Sequence, residues 1–206
     1  INFFSPGEKP NYLIERYRLE GKRVILCVGR IVQRKGQDSV IEAMKILHET
    51  HPDVQLLIVG KGNYENSLRK KVSQLNLDQS VSFLGRVAYE ELPDHFRLAE
   101  VFASPTRDRF GGLEVEGLGI VYLEASAAGI AVLAGASGGA PDAVQEGLTG
   151  RVVDGRNINQ VARTLDELLN NNESTTRMGA QGREWMEREW SWDVIGARFR
   201  ALLNVD

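Results

Sequence analysis

Short apolar runs alternate with stretches of helical spacing from the start of the chain as far as Asp154, and few folds accommodate that alternation. Residues 24–29 (VILCVG), 54–60 (VQLLIVG), 81–84, 101–104, 130–134 and 150–153 read as strands. The first run, 24–29, is apolar throughout rather than at every second position, which marks a strand covered on both faces. Helical spacing fills about 37–50, 63–76, 89–99, 118–128 and 140–145, and Pro93 falls in a first turn, where proline is tolerated. Beyond Asp154 the pattern is helical only, over 158–169, about 174–189 and 192–203. These features predict the α/β class: a doubly wound, Rossmann-like parallel sheet of about six strands, helices on both faces, and a helical C-terminal tail. The expected organisation is a linker with a short helix over 1–20, the Rossmann-like domain over 21–189, and a C-terminal helix over 190–206. No internal repeat interrupts it.

In such a sheet ligands bind outside the carboxyl ends of the strands, in the loops leading into helices. One of these loops, SPTRDRFGGLEVEGLG, runs into a helix with Glu116 and Glu124 at the spacing E-x7-E. Gly117 and Gly119 precede the apolar-periodic run, so the first turn is bare backbone, and free N–H groups at a helix start attract phosphate. A carboxylate at the mouth of that turn and another further along would hold hydroxyl groups on either side of a bound phosphate. That arrangement suits a nucleotide sugar. The same spacing also fits a plain helix with one acid favoured by the dipole and one solvated acid.

Arg30 and Lys35 lie in the loop GRIVQRKGQD after the first strand. A planar guanidinium fork and a point charge make a diphosphate clamp; with Arg34 beside them, a solvated basic loop fits equally well. The turn 135–142 (GASGGAPD) is rich in small residues, which suits close backbone approach to a ligand or a tight turn ahead of a helix. Gly111 and Gly112 suit either a hinge or ordinary loop chemistry.

Other chemistries are excluded. There is no G-x-x-x-x-G-K-[ST], no G-x-G-x-x-G, no G-x-S-x-G and no Cys/His metal spacing, so no metal or dinucleotide cofactor is expected. A net charge of −3 gives no field to recruit nucleic acid. Cys27, the one cysteine, reads as a buried structural thiol. Trp185, Trp190 and Trp192 read as packing anchors. The opening INFFSPGEKPNY lacks the basic and apolar segments of an export signal, and no run approaches the ~20 residues needed to span a bilayer. A cytoplasmic compartment is expected.

Taken in order, VGRIVQRKGQD, LLIVGKGNYENSLR, VSFLGRVAYEELPDHFRLAEVFASPT, EGLGIVYLEASAAGIAVLAG and GLTGRVVDG resemble the nucleotide-binding, C-terminal domain of GT-B retaining glycosyltransferases that carry E-x7-E. The likeness covers nearly the whole chain. GGLEVEGLGIVYLEA with SGGAPDAV resembles bacterial mannosyltransferases that build phosphatidylinositol mannosides or related glycolipids from GDP-mannose. Leu118 stands where many members carry phenylalanine, and the loop before Glu116 is longer here.

The resemblance implies roles. Arg30 and Lys35 would hold the donor diphosphate, and Glu116 would accept hydrogen bonds from sugar hydroxyls. Glu124 would bind the ribose; the backbone N–H groups of Gly117, Leu118, Gly119 and Ile120 would meet sugar and β-phosphate. Gly85, Arg86 and Val87 would border the nucleobase. Glu116, Arg30 and Lys35 are the expected catalytic set. The family closes two domains around the donor, which implies that the acceptor site, for a glycolipid or glycan, lies on an N-terminal domain outside this sequence. On that expectation the isolated chain binds nucleotide and turns over little substrate, the segment from 190 crosses back to that domain, and a lipid acceptor brings peripheral contact at the inner face of the plasma membrane. The alternatives are a glucosyl or N-acetylglucosaminyl transferase using a UDP-sugar, and a nucleotide-binding domain without catalysis of its own.

Overall fold

The computed structural model describes residues 1–203. Six parallel strands, β1 (Arg23–Val28), β2 (Val54–Val59), β3 (Val81–Gly85), β4 (Val101–Ser104), β5 (Ala131–Gly135) and β6 (Gly150–Val153), form one sheet in the order β3-β2-β1-β4-β5-β6. Among the described residues eight α-helices accompany them: α1 (Asn11–Tyr17), α2 (Gln37–Leu47), α3 (Glu65–Gln74), α4 (Leu92–Leu98), α5 (Ile120–Ala127), α6 (Ile158–Asn170), α7 (Asn172–Glu189) and α8 (Trp192–Leu203).

The continuous apolar runs have a physical cause in the two cores. Along β1, Ile25 and Cys27 face one core while Val24, Leu26 and Val28 face the other; β2 divides Leu56 and Ile58 from Leu57 and Val59 in the same way. Period-two geometry sends neighbouring side chains to opposite faces, so a strand covered twice must be apolar at every position. The first core takes α2, α3 and α6, and the second takes α1, α4 and α5. Helix α7 serves both, with Met178 in one and Trp185 and Met186 in the other. Each large aliphatic side chain buried this way contributes about 1.5–3 kcal/mol. Cys27 lies inside the first core, where burial pushes its thiol up to about 12.

Residues 1–20 pack on the second core through Phe4, Leu13 and Leu19. His95, fully buried on α4, joins this segment to the sheet domain: its Nε2 meets the Tyr17 hydroxyl at 3.0 Å and its Nδ1 the Glu91 carbonyl at 2.8 Å. Burial holds its pKa below the usual histidine range.

Several local outcomes differ from the sequence pattern. The first long helix ends at Leu47 rather than near Thr50, because residues 48–51 wind into turns that feed β2. The segment expected as a helix over 140–145 is a 3-10 turn over Ala140–Ala143, with proline at its start. Helix α5 starts at Ile120, two residues later than its periodicity suggests, because Gly119 adopts φ +77° ahead of it. Trp185 and Trp190 pack edge to face at 5.7 Å, as anchors should. Trp192 does not: it is 88% exposed on α8, a helix with no buried side chain.

Candidate functional site

The strand order reverses between β1 and β4, so the chain leaves these two neighbours toward opposite edges of the sheet. A crevice opens at such a switch point, outside the carboxyl ends, and ligands bind there. Two loops line it: 29–36 after β1, with Arg30, Arg34 and Lys35, and 105–119 after β4, with Arg107, Arg109, Glu114 and Glu116. Gly36, at φ +74°, seats one loop on the other, for a Cβ there would overlap the Pro105 carbonyl. Arg107 N–H donates to the Arg34 carbonyl at 2.9 Å. The Arg107 guanidinium also crosses to the start of α2, reaching Asp38 Oδ2 at 2.6 Å and Ser39 Oγ at 2.8 Å.

At the centre, Lys35 Nζ lies 2.9 Å from Glu116 Oε2, and Arg34 Nη1 bonds the same oxygen. Lys35 is 7% exposed and Glu116 6%. An ion pair this buried forfeits much hydration, which mutual attraction offsets only with good geometry; here two cations share one carboxylate. Arg34 extends the network, with Nε 3.7 Å from Glu114 Oε1, and Arg109 closes it at 2.9 Å from Glu114 Oε2.

The small-residue turn after β5 holds the Glu116 backbone. Glu116 N–H donates to Ser137 Oγ at 3.1 Å, and Ser137 donates in turn to Asp108 Oδ1 at 2.6 Å. Gly139 N–H reaches the Glu116 and Gly117 carbonyls at 3.1 and 2.7 Å. Gly138, at φ +52°, admits the Glu116 carbonyl where a Cβ would stand. The close approach that these small residues serve is to the protein's own chain.

Four residues beyond Glu116, α5 begins with no side-chain cap and no acid in its first turn; Tyr122 N–H turns back to the Gly119 carbonyl at 2.9 Å, while no side chain caps the N–H groups from Gly117 to Ile120, which can meet an anion. Gly117 and Ile120 are exposed there, and Leu118 and Gly119 half-buried. Glu124 sits inside α5, half-buried; among the described residues no hydrogen bond or ion pair reaches its carboxylate, and desolvation raises its pKa. Gly85 ends β3 and Arg86 and Val87 follow it, two strands out from β1, hence about 10 Å along the rim. Gly85 accepts from Gly60 N–H at 2.7 Å, and Arg86 is exposed. Arg30 is exposed; its carbonyl accepts from Gln37 Nε2 at 3.1 Å, and its guanidinium pairs with no acid among the described residues.

The structure thus brings Lys35, Glu116, Gly117 and the start of α5 together, with Arg30 on the same loop as Lys35. Arg34 and Ser137 are members the sequence did not single out: Arg34 meets Glu116 across 82 residues of chain, a separation no local pattern reports. Two cavities flank the network. One of about 490 Å³ lies by Asp38, Arg107, Phe110 and Arg156, and another of about 350 Å³ by Val32, Tyr64, Arg109 and Glu114. A larger groove, about 620 Å³, runs between the end of α2 and α6, away from the switch point. Among the described residues, no three His, Cys, Asp or Glu side chains gather to hold a metal, and no helix is long and apolar enough to cross a membrane.

Known proteins share the sequence family and the fold. Residues 12–185 match the family described as "Glycosyl transferases group 1". A GDP-mannose-dependent alpha-(1-6)-phosphatidylinositol monomannoside mannosyltransferase of Mycobacterium tuberculosis is 46% identical over 194 residues, 94% of this chain and 50% of that protein. A GDP-mannose-dependent monoacylated alpha-(1-6)-phosphatidylinositol monomannoside mannosyltransferase of Corynebacterium glutamicum is 48% identical over 209 residues, covering 100% of this chain and 54% of that protein. The chain spans about half the length of these curated relatives. Among solved structures, the C-terminal domain of a glycosyl transferase group 1 family protein from Francisella tularensis superposes with a TM-score of 0.80 at 25% identity, covering 93% of this chain and 97% of that one. Anabaena HepE, solved in complex with UDP, shares the fold at a TM-score of 0.86 and 20% identity, over 98% of this chain and 54% of that one. With its Rossmann-like sheet, its switch-point crevice and a family match across most of its length, the chain belongs to the glycosyl transferases group 1 family.

Proposed function

We propose that this domain grips the nucleoside-diphosphate end of GDP-mannose at the β1/β4 crevice, as the donor half of a retaining mannosyltransferase acting on a glycolipid or glycan. The observation that carries the reading is the Lys35–Glu116 pair, buried at 2.9 Å beside an uncapped helix start. A cation, a carboxylate and free N–H groups within one crevice match the three parts of a sugar diphosphate. Mannose and GDP are supported by the 46% and 48% identical relatives, both GDP-mannose-dependent mannosyltransferases.

In this reading Arg30 and Lys35 hold the diphosphate, and the N–H groups from Gly117 to Ile120 face its β-phosphate. Glu116 accepts from sugar hydroxyls, Glu124 from the ribose, and the turn Gly85-Arg86-Val87 borders the base. The sugar–phosphate bond breaks toward an oxocarbenium-like transition state while negative charge gathers on the leaving diphosphate. Fixed cations and a helix start stabilise that charge without reorganising, an effect worth ~3–4 kcal/mol per donor in comparable sites. The acceptor site belongs to a second domain, so this chain alone binds nucleotide and transfers little mannose. A lipid acceptor would place the complete protein at the inner face of the plasma membrane.

Thermal shift with GDP and UDP tests the proposal, because a ligand bound only by the native state raises Tm. GDP should raise it more than UDP. A stronger response to UDP would move the reading to a UDP-sugar transferase, and no response to either would end it. Arg30→Ala, at an exposed position, should weaken GDP binding about tenfold or more with no change in Tm of the free protein.

A further inference from the structure

Lys35 has two claims on it: in the free domain its ammonium lies on Glu116, yet the diphosphate reading needs it for phosphate oxygens. If Lys35 alone neutralised Glu116, donor binding would strand a buried carboxylate, a costly outcome. The network avoids this. Arg34 Nη1 binds the same Oε2 as Lys35, and its side chain is only 11% exposed, held from behind by Glu114. Among the described residues no hydrogen bond reaches Glu116 Oε1. One oxygen is therefore gripped twice and the other left for a ligand.

We infer that Arg34 is a positioning residue: it fixes Glu116 with Oε1 turned to the donor's sugar hydroxyls and keeps the carboxylate compensated when Lys35 moves to the diphosphate. This rests on the proposed donor reading. Arg34 touches no substrate; it acts through Glu116. The guanidinium suits the task because its planar fork spans Glu114 and Glu116 together, which a single ammonium cannot do.

A double-mutant cycle of Arg34→Met and Glu116→Gln, read as GDP-mannose affinity by calorimetry, tests the inference. Arg34→Met alone should weaken GDP-mannose about tenfold. In the Glu116→Gln background the same change should cost less than about twofold, because the carboxylate it positions is gone. A full tenfold loss in both backgrounds would mean that Arg34 acts independently of Glu116, and would overturn the inference while leaving the donor site standing. A wild-type chain that binds neither GDP nor GDP-mannose would overturn both. If Arg34→Met does not fold, Arg34→Lys carries the cycle: one charge without the fork should still cost about threefold in the wild-type background and nothing beside Glu116→Gln.

Discussion

Glu116 and Glu124 stand eight residues apart, on either side of the start of α5, and the structure treats them in opposite ways. Glu116, in the loop, is almost wholly buried and meets two cations. Glu124, in the helix body, is half-buried and meets none, so desolvation raises its pKa. The protein compensates the first charge from its own side chains and, among the described residues, supplies no partner for the second. The first is built into the scaffold that joins β1 to β4. The second is an unsatisfied acceptor, the kind of group that a ribose diol completes.

The comparison breaks most severely if the backbone under Glu116 is disturbed. Gly138→Ala forces a side chain into a left-handed conformation and into the Glu116 carbonyl. It should cost about 3 kcal/mol, a fall in Tm of roughly 6–12 °C for a chain of this size. Calorimetric melting within 2 °C of wild type, well inside the ~6 °C expected, would mean that Glu116 is not held by its main chain. Next in size is Lys35→Ala. Arg34 still compensates Glu116, so the fold should survive, while GDP affinity falls about 30- to 100-fold through loss of one charge-assisted contact. Unchanged affinity in a titration would remove Lys35 from the diphosphate and leave it as a structural cation.

What the sequence made legible follows the same division. The run 24–29, apolar at every position, announced a sheet covered on both faces, and the loops at its carboxyl edge were legible as the place for chemistry. The pairing of Lys35 with Glu116 was not, because it depends on two loops that only the reversal of strand order brings together. Arg34 looked like one more solvated charge for that reason. The glycines of 135–139 suggested a ligand or a turn, yet the surface they approach is the chain at Glu116–Gly117. Trp192 shared an aromatic-rich segment with Trp185, but whether a helix face finds a partner is decided by what stands opposite it. Local periodicity carries no such information.

The smallest expected effect lies at the other glutamate. A carboxyl whose pKa is raised in the folded state holds its proton more tightly there than in the unfolded chain, so ionisation opposes folding. The penalty is absent below the ordinary carboxylate range, grows as pH rises from the unfolded toward the raised folded value, and is constant above it. Glu124→Gln should therefore melt about 1 °C above wild type near pH 7.5, and the gap should close near pH 4. Ligand binding should run the other way. The ionised carboxylate is the better acceptor for ribose hydroxyls, so wild-type GDP affinity should rise across that window while the glutamine variant stays flat and about tenfold weaker at neutral pH. A glutamine variant less stable than wild type at neutral pH would show that Glu124 already has a partner within the fold. Its half-burial would then be structural, and the contrast with Glu116 would reduce to one of degree.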